Sequence, residues 1–147
     1  MDTAYKTTLE LDKVLARAVQ LCACQETKEM MQALEPAPTV EDERYDLAQT
    51  NAINALLIKN GSPRFGSVHE VRRIVAHARK GGILSMGELL EIAATLRNFS
   101  GLSQWYGLSE HEMLPTDDLF FSLAPQPVLE KQISESILSP EEMADTA

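Results

Sequence analysis

Residues 67–99 carry two helix-start signals with a glycine stop between them. This pattern narrows the fold of the 147-residue chain more than any other feature. Ser67 with Glu70, and Ser85 with Glu88, each fit the S/T-x-x-E capping box. In that box the hydroxyl accepts from the third helical N–H, and the glutamate reaches back to the N–H of the cap residue. Lys80-Gly81-Gly82 ends the first helix, because glycine enters the left-handed conformation without a Cβ penalty. Two helices joined by about four residues must double back on each other. The pattern therefore predicts a helical hairpin over 67–99. Val68, Val71, Ile74, Val75 and Ala78 line one helix of it, and Leu89, Ile92, Ala93, Leu96 and Phe99 line the other.

The rest of the chain reads as further amphipathic helices in a single helical domain over 1–147. Leu11, Val14, Leu15, Ala18 and Leu21 recur at helical spacing. A short second helix, about 25–34, stops before Pro36 and Pro38. Thr39 can cap a third, whose first turn holds Glu41, Asp42 and Glu43 at the positive end of the helix dipole. It should end at Asn60-Gly61. The hairpin's second helix should fade near Gly101, leaving 101–127 irregular apart from short turns at Ser109–Met113 and Thr116–Leu123. Trp105 and Tyr106 read as a hydrophobic plug at a helix end. A last helix follows from Pro127, with Leu129, Ile133 and Ile137 on one face. Ser139-Pro140-Glu141-Glu142 looks like one more capping box with too little chain behind it, so 138–147 is either an unfinished helix or an extended tail. Either way the chain is expected to be a piece of a larger protein.

Composition supports an all-α fold. Aromatic residues are only 5% of the chain, so its core should be mostly aliphatic, and good helix formers dominate the periodic segments. No apolar run reaches the ~18 residues of a membrane span, and the N-terminus lacks a signal-peptide core. A cytoplasmic location without membrane attachment is the expectation. Cys22 and Cys24, two apart on a helix, point to different faces and favour neither a disulfide nor a metal pair.

Charge is unevenly spread. Between residues 59 and 80, Lys59, Arg64, Arg72, Arg73, Arg79 and Lys80 face Glu70 alone, a balance of +5 that leaves −14 elsewhere in a chain of net −9. Such a span can pair with the acidic third helix or follow a phosphate backbone. Intramolecular pairing plus a solvated face is the expected use, with nucleic-acid contact by Arg64, Arg72, Arg73, Arg79 and Lys80 the alternative. His69 and His77 are about 12 Å apart along a helix, too far to share a metal. Neither a G-x-x-x-x-G-K-S/T phosphate loop nor a G-x-S-x-G elbow occurs. No catalytic, cofactor-binding or metal-ligating residue is expected.

Phe65-Gly66-Ser67-Val68, Val71-Arg72, Ala78, Lys80-Gly81-Gly82, Leu84-Ser85 and Glu88-Leu89-Leu90 together resemble one family. It is the N-terminal region of the MutS-two branch, the MutS-type paralogues that carry a Smr nuclease domain. Leu9-Glu10, Asp12-Lys13-Val14-Leu15, Lys28, Leu34 to Pro36 and Asp145-Thr146-Ala147 extend the likeness. Ser67, Arg73 and Thr27 depart from the usual glycine, proline and glycine. The resemblance implies part of the helical core from which lever and clamp extend, serving as scaffold. The parent protein would be a homodimeric ATPase clamp and endonuclease that uses ATP and Mg through domains absent here. It would act on DNA or on ribosomes, in recombination control or the rescue of collided ribosomes. The competing reading is a free-standing helical adaptor for another protein.

Overall fold

The computed structural model describes residues 10–64, 66, 68–108 and 110–144. The Ser67 cap, Ser109 and the Asp145-Thr146-Ala147 motif lie outside them. Where length suggested one domain, the chain divides into two compact units, Met1–Pro36 and Ala37–Ala147. The division falls between Pro36 and Pro38, where proline rings keep the preceding residues out of the helical region.

In the first unit, α1 (Leu11–Leu21) packs against α2 (Gln25–Gln32). Leu11, Leu15, Ala18 and Val19 are half-buried, whereas Val14 and Leu21 are exposed. Both cysteines are free thiols. Cys22 Sγ donates to the Ala18 carbonyl, and Cys24 Sγ lies 3.0 Å from Thr27 Oγ1.

The second unit opens with α3 (Val40–Asn60). Thr39 caps it, its Oγ1 accepting from the Asp42 N–H at 3.1 Å. The helix stops at Gly61, whose φ of 73° is costly for any residue with a Cβ. Next come α4 (Arg72–Arg79), α5 (Met86–Tyr106), α6 (Asp117–Phe121) and α7 (Pro127–Ser136). The Ser85–Glu88 capping box is fully formed: Glu88 N–H reaches Ser85 Oγ at 3.3 Å, and Ser85 N–H reaches Glu88 Oε2 at 2.7 Å. Gly81, at φ 83°, closes α4 as expected.

Two apolar clusters hold this unit. Leu56, Trp105 and Tyr106 gather Ile53, Leu57, Leu114 and Phe120 at the junction of α3, α5 and α6. Ala93, Ile133 and Ile137 gather Met86, Leu89, Leu90 and Ile92 between α5 and α7. Arg97 adds an ion pair to Glu130 at 2.7 Å.

Four local expectations change. The helix placed at Ser67 begins at Arg72. The hairpin's proposed packing face is only partly buried: Ile74 is, but Val75 is 42% exposed and Ala78 is exposed. The most extensive packing of α5 is on α7. An eight-residue helix with one buried side chain offers little apolar area, while Ile133 and Ile137, four apart, present a stripe. Thirdly, α5 runs through Gly101 to Tyr106. One interior glycine costs about 1 kcal/mol, which the burial of Trp105 and Tyr106 readily offsets. Lastly, Ser139-Pro140-Glu141-Glu142 forms a turn, not a helix. It joins antiparallel β1 (Ile137–Ser139) and β2 (Glu142–Met143), and Ser139 Oγ accepts from the Glu141 N–H.

Candidate functional site

The basic residues singled out in the sequence all point outward. Arg72 and Arg73 begin α4, Arg79 ends it and Lys80 caps it, while Arg64 lies in the connection from α3. Ile74 is the helix's only buried residue. At 100° per residue, Arg72, Ala76 and Arg79 lie on the side away from it, with Arg73 and Lys80 flanking. The connection is anchored by the Gly66 N–H, which donates to Asn98 Oδ1 at 2.8 Å.

Intramolecular pairing together with a solvated face was the expected fate of these charges, and four of them lie on the solvated face. Among the described residues, Arg64, Arg73, Arg79 and Lys80 form no ion pair. Lys59 donates to the Glu110 carbonyl at 3.2 Å. The acidic first turn of α3 is satisfied locally, with Thr39 Oγ1 donating to Asp42 Oδ2.

A second cluster escaped the sequence reading. The Tyr106 hydroxyl donates to Asp117 Oδ1 at 2.7 Å and lies 2.8 Å from Thr116 Oγ1, while the Leu114 N–H donates to Asp117 Oδ2. The Tyr106 ring stacks on Phe120 at 3.9 Å and meets His111 edge-on at 4.9 Å. An open cavity of about 510 Å³ adjoins it, lined by Tyr106, His111, Phe120, Phe121 and Leu123 among others. The only sequence signal was the aromatic pair followed by the Thr116-Asp117 cap.

This cluster is poorly suited to acid–base chemistry. Burial, then the bond to Asp117, pushes the Tyr106 hydroxyl up to about 12. The Tyr106 hydrogen bond, aided by the Leu114 N–H, holds the Asp117 carboxyl below its ordinary value. Both shifts move away from neutrality, where a general acid or base works best. They also predict a pH dependence. A tyrosine whose folded pKa is raised contributes stability that is complete below about 10 and lost as pH rises towards about 12. Tyr106→Phe should melt earlier than the parent at neutral pH, and the difference should shrink above pH ~10. An unchanged difference across that range would show that the hydroxyl is not held this way.

The Gly81-Gly82 pair is not arranged as a phosphate cradle. Gly81 and Gly82 follow the C-terminus of α4 rather than opening a helix, and a Cβ at Gly82 would collide with the His77 ring. The second glycine thus makes room for an imidazole, not for phosphate oxygens. Among the described residues no group of three or more His, Cys, Asp or Glu side chains could hold a metal. None of their helices is long and apolar enough to cross a membrane.

Comparison with known proteins finds similarity along essentially the whole chain. It is 30% identical over 149 aligned positions to endonuclease MutS2 of Ruminiclostridium cellulolyticum, covering 100% of this chain and 19% of that protein. The endonuclease MutS2 of Clostridium beijerinckii is 28% identical over 141 residues, 95% of this chain and 18% of the relative. That of Lachnospira eligens is 28% identical over 147 residues, again 18% of the relative. The chain therefore spans less than a fifth of the length of these relatives. No family model matches it, and no solved structure does.

Proposed function

We propose that this chain, homologous along its length to a segment of the MutS2-type proteins, is a helical scaffold within a MutS-type ATPase clamp. The observation that carries the reading is the full-length similarity to relatives of which the chain covers 18–19%. The fold is suited to such a part: α3 and α5 are 21 residues each, roughly 30 Å long, and could transmit displacement from one end to the other. Chemistry is assigned to the remainder of the parent protein, which binds ATP and Mg, dimerises and cleaves nucleic acid. This segment's partners are then the rest of that protein and, through it, DNA or the ribosome, in the cytoplasm.

A scaffold segment has no nucleotide site of its own. Calorimetry on the 147-residue chain should detect neither binding nor hydrolysis of ATP, with or without Mg. Saturable binding at micromolar ATP would contradict the assignment.

A further inference from the structure

We propose that the open cavity at the end of α5 docks a basic amphipathic segment of a partner protein, whose apolar anchor enters it while lysines or arginines meet its rim. The floor is built before any partner arrives. Tyr106 is buried, stacked on Phe120 at 3.9 Å and pinned by Asp117 and Thr116 at 2.7 and 2.8 Å. A floor held this firmly loses little freedom on binding. At about 510 Å³ the cavity falls within the roughly 300–1,000 Å³ of ordinary ligand sites. Its mouth is apolar: Phe121 is 74% exposed, and the half-buried Leu123 and Pro125 line the same space. A single exposed phenyl ring is ordinary, but one continuous with a cavity wall gives an anchor side chain a place to lie.

Charge decides what kind of anchor fits. Five acidic residues and no lysine or arginine stand between Arg97 and Lys131. Asp117 is bound by Tyr106 and Leu114, and Glu130 by Arg97. Glu110, Glu112 and Asp118 are exposed and, among the described residues, form no ion pair. Glu110 lines the cavity itself, and Asp118 lies three residues before Phe121, on the same side of α6. Lys59 approaches from α3, but it reaches the Glu110 carbonyl and leaves the three carboxylates in excess. Such a rim repels nucleic acid and anionic lipid and attracts a cationic polypeptide. An apolar anchor flanked by lysine or arginine satisfies floor and rim together, and an amphipathic helix presents both on adjacent faces. This docking needs nothing from the scaffold role, so an ATP titration and a peptide titration can fail independently.

The 147-residue chain is titrated into fluorescein-labelled amphipathic peptides and the anisotropy followed. One peptide of about 14 residues, or four helical turns, is built from leucine and lysine, and a second carries glutamate at every lysine position. At about 100 mM salt charges are screened beyond about 10 Å, so only acids near the bound peptide should count. Saturable binding of the leucine–lysine peptide is expected, and none of the leucine–glutamate peptide. Phe121→Ser should weaken it about tenfold. E110Q/D118N should weaken it about threefold or more. E141Q/E142Q removes the same charge near the opposite end of α5, where Pro140 meets Gly87, and should leave affinity within about twofold. Failure of the leucine–lysine peptide to bind would overturn the proposal, as would equal binding of the two peptides. So would full affinity in Phe121→Ser, or equal losses in the two double variants. Sedimentation showing that the chain self-associates, and that Phe121→Ser abolishes it, would assign the cavity to a second copy and would also overturn the proposal.

Discussion

Ile133→Asp should unfold the Ala37–Ala147 unit or come close to it. Ile133 is 7% exposed and sits between Ala93 and Ile137 at the contact of α5 with α7. An aspartate there would bury a carboxylate with no cation arranged to receive it, since Arg97 is already engaged by Glu130. The expected loss is about 3–5 kcal/mol, a large share of a small domain's stability. Val75→Asp is the informative partner. The sequence pattern places Val75 in the middle of a packed hairpin face, but its 42% exposure lets a carboxylate remain hydrated. It should cost less than about 1 kcal/mol. Urea melts followed by circular dichroism separate the two. Equal destabilisation by both variants would mean that α4 packs as the hairpin pattern suggested.

Trp105→Ala should be nearly as damaging, at about 3–5 kcal/mol. The indole is 6% exposed among Leu56 and Phe120, and its Nε1–H donates to the Gly61 carbonyl at 2.8 Å. It therefore fills the first apolar cluster and also ties the end of α3 to the end of α5, a join that Asn60 Nδ2 reinforces by donating to the Trp105 carbonyl. Trp105→Phe keeps most of the volume and loses the hydrogen bond, so about 1 kcal/mol is expected for that part. Trp105 is the only tryptophan, and its emission reports unfolding of this junction in the parent chain. A loss below about 1 kcal/mol for the alanine variant would show that the junction is held elsewhere.

Local signals with their own hydrogen-bonding logic were legible in the sequence. Thr39, the Ser85–Glu88 box, Gly61 and Gly81 each fix a backbone conformation through a few neighbouring atoms. Pairings between distant elements were not legible. The apolar stripe of α5 could serve α4 or α7 equally well, and periodicity carries no information about which neighbour wins. Gly101 reads as a helix stop, but the tertiary burial of Trp105 and Tyr106 outweighs its propensity. The Ser139–Glu142 box failed for a similar reason. Ser139 satisfies the Glu141 N–H in a turn, and the Ala144 N–H returns to the Ser136 carbonyl at 2.8 Å. The candidate surface followed the same division. That the basic residues would be exposed on α4 was readable from their spacing around Ile74. That Arg73, Arg79 and Lys80 would stay clear of the acidic α3 was not, because sequence separation says nothing about which surfaces meet.

A segment of a MutS-type ATPase must be encoded together with the machine it serves. The most direct measurement is therefore the genomic coding sequence downstream of Ala147. The predicted result is an open reading frame continuing for several hundred codons and containing a G-x-x-x-x-G-K-S/T phosphate loop. A genomic stop codon immediately after Ala147 would contradict the scaffold reading and leave the free-standing adaptor in its place.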